Sequence, residues 1–134
     1  MKIKSTHQIL FVIAMIISLV SMAGCKAQPV KISETDNGKS ISVSVGNQLE
    51  VSLSGNPTTG YSWEVKSVDA TILEQVGEPQ FSSDNPNLVG SGGIQTFTFD
   101  VKKSGSVTLE LIYHRPWETD VEPLQTFSIQ VEVK

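Results

Sequence analysis

The chain has one cysteine, Cys25, in 134 residues. A disulfide within the chain, a redox thiol pair and a multi-thiolate metal site are therefore excluded. Histidine is nearly as scarce: His7 and His114 are the only two, and only His114 lies beyond the first 25 residues. One histidine and no thiol make a poor metal centre, so no metal and no cofactor are expected. His114, Asp120 and a serine would supply the residue types of a hydrolytic triad. No Gly-x-Ser-x-Gly turn accompanies them, and an enzyme is not expected. Basic residues are also few. Lys plus Arg number 10 against 14 acids, for a net charge of −4. An acidic chain without a basic stripe is a poor nucleic-acid binder. After the N-terminal segment, helical periodicity is missing as well.

What is present begins with that segment. Lys2 and Lys4 precede an apolar run, Ile9 to Val20, interrupted only by Ser18, and then Ser21-Met22-Ala23-Gly24-Cys25. The run is too short for a stable transmembrane helix and has the make-up of a secretory signal. The small residues before Cys25 resemble a bacterial lipobox, with Met22 where leucine is most usual. Residues 1–24 are thus expected to be a signal peptide, and Cys25 to carry a lipid that anchors an exported protein to a membrane of the cell envelope. Without residues 1–24, Lys plus Arg falls from 10 to 8 while the acids stay at 14, so net charge goes from −4 to −6. Residues 25–34 read as the lipidated cysteine and a short tether, and 35–134 as one domain. A chain of this length can bury enough apolar surface to fold without a disulfide.

Period-two alternation then recurs. Ile41, Val43 and Val45 alternate with serines, and Leu49, Val51 and Leu53 with polar residues. The same holds for Tyr61-Trp63-Val65, Phe97-Phe99-Val101, Val107-Leu109-Leu111-Tyr113 and Phe127-Ile129-Val131-Val133. Each run reads as a half-buried strand. Turn residues separate them at Asp36-Asn37-Gly38, Gly46-Asn47, Gly55-Asn56-Pro57 and Lys103-Ser104-Gly105. Val68 to Gln75 fits a turn of helix, or Ile72 to Val76 another strand. Many short strands with turns between them predict an all-β, antiparallel sandwich, immunoglobulin-like and disulfide-free; the pattern alone does not separate it from a small barrel.

Three loops between these runs hold residues a scaffold does not require. In Asn56-Pro57-Thr58-Thr59-Gly60, Asn-Pro opens a turn and Gly60 supplies a positive φ, so turn chemistry alone would explain it. Gly90-Ser91-Gly92-Gly93 would serve as a flexible hairpin tip. It is not a phosphate loop, since no Gly-Lys-Ser/Thr follows, and Ile94 to Phe97 continues as a strand. Its other reading uses the missing Cβ atoms, which let backbone approach a narrow cleft. Arg115-Pro116-Trp117 would suit a tryptophan folded onto the core, or an aromatic-plus-arginine anchor on a stiff tip. Asp84-Asn85-Pro86-Asn87 lacks the acid density of a calcium loop and reads as a turn.

Taken together, in this order and with the Tyr61-Ser62-Trp63 that follows the first loop, the motifs resemble the chagasin-type inhibitors of papain-family cysteine peptidases. The resemblance runs from about Ile41 to Lys134. It implies an immunoglobulin-like domain whose three loops form a wedge at one end and plug the peptidase cleft, giving tight, reversible, competitive inhibition. Gly90 to Gly93 would enter the centre of the cleft. Thr58 would bond toward the catalytic histidine, and Thr59 would brace the loop. Trp117 would pack on aromatic surface on the primed side, with Arg115 in polar contact nearby. Such a wedge works as a monomer. The rival reading is a non-inhibitory envelope lipoprotein that binds another surface protein or polymer, because a fold does not fix a function.

Overall fold

The computed structural model describes residues 27–134. The expected signal peptide, residues 1–24, and Cys25 therefore lie outside the described residues. The strands are β1 (Val30–Ser33), β2 (Ser40–Val43), β3 (Gln48–Gly55), β4 (Ser62–Ser67), β5 (Leu73–Gln75), β6 (Gln80–Ser83), β7 (Gly93–Val101), β8 (Gly105–His114) and β9 (Gln125–Val133). Single 3-10 turns occupy Glu34–Asp36 and Pro57–Thr59. One sheet has the order β1-β3-β7, with β5 and β6 both on the far side of β7; the other runs β2-β9-β8-β4.

The alternation in the sequence sets which side chains meet between the sheets. Leu49, Val51 and Leu53 from β3 and Phe97, Phe99 and Val101 from β7 face Leu109, Leu111, Phe127, Ile129 and Val131 from β8 and β9, all buried. Side chains on the other face stay polar, as where the hydroxyls of Ser52 and Thr96 meet at 3.0 Å across β3 and β7. Burial at about 25 cal/mol per Å² of apolar surface is the main stabilising term, and it requires no covalent staple.

The six strands read from alternation all form. Three more appear. The stretch expected to be tether contains β1, which pairs parallel with β3 and buries Ile32 at 4% exposure. The sheet thus includes Val30–Ser33, ahead of the boundary expected at Thr35. Residues 72–76, open between helix and strand, give β5. The long Glu78–Gly93 connection contains β6. β5 pairs with Leu73↔Val101 and β6 with Gln80↔Thr96 on the same side of β7. They are one edge interrupted by Gly77, at φ 66°, and by Pro79, which has no N–H to give a ladder. Two pairings are parallel, β1 with β3 and β2 with β9; the others are antiparallel.

Register defines two poles. Gly55↔Gly93, Ser62↔His114 and Tyr113↔Gln125 mark one. Every loop singled out in the sequence starts from it: Asn56–Tyr61 crosses between the sheets, Asp84–Gly92 joins β6 to β7, and Arg115–Leu124 joins β8 to β9.

Candidate functional site

A column of aromatic rings underlies the loops. Trp63 is buried, and its indole N–H donates to the Ser54 carbonyl at 2.8 Å. The Trp63 backbone exchanges hydrogen bonds with the Gln95 amide, both at 3.0 Å. Tyr113 stands between Trp63 and Tyr61, with ring centroids 5.2 and 5.5 Å away. Its hydroxyl accepts the Asn56 backbone N–H at 2.8 Å, which fixes where the first loop leaves the sandwich.

Asn56 joins the first loop to itself and to the second. Its Oδ1 accepts the Thr58 backbone N–H at 3.1 Å, the N-cap of the short 3-10 turn, and the Thr58 hydroxyl at 2.6 Å. Its Nδ2 donates to the Gly90 carbonyl at 3.0 Å. Its own carbonyl accepts the Thr59 hydroxyl at 2.6 Å and the Thr59 N–H at 3.2 Å. Pro57 presets its φ, and Gly60 closes the turn at φ 82° with its N–H on the Pro57 carbonyl. Both threonine hydroxyls therefore donate inside the loop. What exposed Thr58 still offers is oxygen lone pairs, which makes it an acceptor.

Arg115 joins the third loop to the first. Its Nε donates to the Thr59 carbonyl at 3.3 Å, its Nη1 reaches Glu118 at 3.2 Å, and its guanidinium lies 4.5 Å above the Tyr61 ring. Beneath it, His114 Nε2 lies 2.7 Å from Glu64 Oε2 and joins β8 to β4. Pro116 is exposed, and Trp117 presents its indole to solvent at 67% exposure while its edge lies against Gly60.

The second loop is ordered by turn chemistry. Asn85 Oδ1 accepts the Asn87 N–H at 3.1 Å, and Ser91 Oγ accepts the Asn85 N–H at 3.2 Å and donates to the Gly92 carbonyl at 3.1 Å. The Asp84–Asn87 stretch is thus a turn. Its glycines differ in what requires them. Gly90 is exposed, at φ 83°, where a Cβ would meet Thr58 Oγ1 at 4.0 Å. A Cβ on Gly92 would touch the Gly55 carbonyl at 3.4 Å. Gly93 is buried in β7, where a Cβ would collide with the Ser82 carbonyl and with Ser83 Cα at 2.8 Å. Its missing side chain serves the β6–β7 pairing.

The structure thus gathers Asn56, Pro57, Thr58, Thr59, Gly60, Gly90, Ser91, Gly92, Arg115, Pro116 and Trp117 at one pole, with Gly93 below them. It adds two residues that sequence reasoning missed. Leu88 and Val89 project from the second loop at 60% and 101% exposure. Two adjacent aliphatics inside a run of Ser, Asn, Asp, Pro and Gly were the available signal.

Comparison with known proteins agrees with this geometry. Residues 42–131 match the model of the chagasin family of peptidase inhibitors, I42. The chain is 30% identical over 108 residues to chagasin of Trypanosoma cruzi, covering 76% of this chain and 96% of that protein. The solved structure of the cysteine protease inhibitor EhICP2 from Entamoeba histolytica superimposes with a TM-score of 0.70 at 24% identity, covering 78% of this chain and 95% of the other. PbICP-C, solved in complex with falcipain-2, gives a TM-score of 0.52 at 23% identity, covering 80% and 92%. The extent of the family match, with its three loops at one end of a disulfide-free sandwich, means that this chain belongs to the chagasin family of peptidase inhibitors.

Proposed function

We propose that the protein is a tight, reversible, competitive inhibitor of papain-like cysteine peptidases, acting through the loop pole. The observation that carries the reading is the bonding of three loops from both sheets into one surface through Asn56 and Arg115. Loops already held by hydrogen bonds lose little conformational entropy on docking, so an interface of roughly 1,600 Å² can bind tightly.

The chemistry suits the target class. A papain-like centre pairs a thiolate with an imidazolium. An imidazolium only donates, and Thr58, whose hydroxyl proton is taken by Asn56 Oδ1, offers it an acceptor oxygen. No opposing charge is buried in that contact. Gly90 and Gly92 let backbone enter where side chains would block. Leu88, Val89 and Trp117 supply apolar surface for walls beside the cleft. Inhibition is blockade: the wedge fills the site without entering the reaction.

We also infer that Cys25 is lipidated and that the protein acts as a membrane-anchored, exported monomer. The support is the basic, apolar and small-residue order of residues 2–25. Release from the membrane fraction by Cys25→Ser tests the anchor.

The deciding experiment titrates papain or a cathepsin L-like peptidase with residues 26–134 against a fluorogenic substrate. Stoichiometric, substrate-competitive and reversible loss of activity, with the inhibitor uncleaved, is expected. No inhibition at micromolar concentration across several such enzymes would overturn the assignment.

A further inference from the structure

The N-terminus leaves the sandwich at the pole farthest from the loops. β1 runs parallel to β3, so Val30 lies beside Leu49 at the start of β3 while Asn56 follows its end. Ala27 lies farther back still, lining a shallow depression with Gly46, Gln48 and Asp100. The Gly46 N–H donates to Val101 and the Val45 N–H to Lys134, so this pole gathers the opposite end of every long strand. β3 has eight residues, which puts about 25 Å between the poles at about 3.3 Å per residue.

We propose that the sandwich is a spacer with its attachment at one pole and its wedge at the other, so that a chain held at Cys25 presents the loops to peptidases arriving from the aqueous phase. This rests on the inhibitor reading and gives it a direction. Residues 26–29 span at most about 14 Å, too short to carry the loops under the domain to a surface at Cys25. Charge favours the same pose. The loop pole carries Asp84, Asp120 and Glu122, all exposed, and its one arginine is paired with Glu118. An anionic leaflet repels that pole. The attachment pole mixes Lys102, Lys103 and Lys134 with Asp69, Glu74 and Asp100 and carries no such excess. The peptidase that fits is a freely diffusing one whose cleft opens to solvent.

The test uses residues 25–134, which include every strand, coupled through the lone Cys25 thiol to maleimide-bearing vesicles containing brominated lipid. A Cys25→Ser/Glu122→Cys variant is attached in the same way at the loop pole. With the Cys25 linkage, the emission of Trp117 and of Trp63, which also lies toward the loop pole, is expected to be unquenched by bromine, and inhibition of a soluble papain-like peptidase to stay within about threefold of the free domain. The Glu122→Cys linkage is expected to quench Trp117 and to weaken inhibition at least about tenfold relative to the same variant capped with N-ethylmaleimide and free in solution. Quenching of Trp117 through the Cys25 linkage, or a tenfold loss on coupling there, would overturn the proposal. A free domain that fails to inhibit would sink the inhibitor reading instead, and the quenching would still decide the orientation.

Discussion

The indole of Trp117 lies so close to Gly60 that a Cβ at that glycine would collide with Cη2 and stand 3.0 Å from Cζ2. The tip of the third loop is thus seated on the turn that ends the first. Gly60 also has φ 82°, where an L side chain costs about 1–2 kcal/mol. Gly60→Ala is expected to lower stability by about that amount, push the indole off its seat and weaken inhibition about tenfold or more. Inhibition titration with Trp fluorescence checks both. Trp117→Ala should weaken inhibition similarly without touching stability, because the ring is mostly exposed.

Asn56→Ala removes the cap of the first loop and its bond to Gly90. A loss of about 1–2 kcal/mol in stability is expected from the cap. The larger effect should be on dissociation of the peptidase complex, because the two loops no longer hold each other. Thr58→Ala keeps the backbone cap on Asn56 Oδ1 and removes the presented oxygen together with its own bond to that atom. Comparing the two dissociation rates separates positioning from contact; equal rates would refute the distinction.

The glycines of the second loop predict opposite phenotypes. Gly93→Ala should cost several kcal/mol, because backbone of β6 must move, and should appear as a lower urea midpoint. Gly92→Trp fills the wedge and should abolish inhibition with the fold kept. Leu88→Ser and Val89→Ser should leave the urea midpoint unchanged. Each should weaken inhibition by about 1–2 kcal/mol if the side chain is buried against the peptidase.

Ile32→Ala tests whether β1 belongs to the domain. A buried aliphatic on a core strand costs about 2–4 kcal/mol when cut back. A change below about 0.5 kcal/mol would mean that Val30–Ser33 is decoration.

Acid should loosen the fold gently. The backbone N–H of Ser33, then Lys39, holds Asp36 below the ordinary value of 3.8; the Thr71 hydroxyl, then its N–H, does so for Asp69. Lowered folded values mean that the carboxylates stabilise the fold above 3.8 and stop doing so as pH falls through those values. Thermal midpoints are expected to be flat near neutrality and to fall below about pH 4, with Asp36→Asn/Asp69→Asn flattening the acid limb. Asp69 is exposed and Asp36 partly so, which keeps the limb shallow.

Six strands were legible because strict alternation survives when one face packs and the other meets water. β1 was not: Val30 and Ile32 alternate over two apolar positions only, beside Pro29, where Ile41, Val43 and Val45 gave three. Gln80-Phe81-Ser82-Ser83 gave no signal either, since an edge strand with an exposed phenylalanine reads as loop. At the site, motif order identified the loops, but the division of labour inside them did not show. That Thr58 donates inward, that Arg115 braces the Thr59 carbonyl, and that Gly93 is required by Ser82 all depend on contacts between residues far apart in the chain.

The sandwich from residue 27 onward contains no sulfhydryl and no disulfide. A papain-like peptidase is active only while its own thiol is reduced, and the reductants that keep it so dismantle inhibitors that rely on cystine bridges. This fold offers them nothing to attack. Its wedge likewise has no sulfur with which the target thiolate could form a mixed disulfide. The conditions that switch the protease on leave its inhibitor unchanged, so the balance between the two is set by concentration and affinity and is indifferent to redox state.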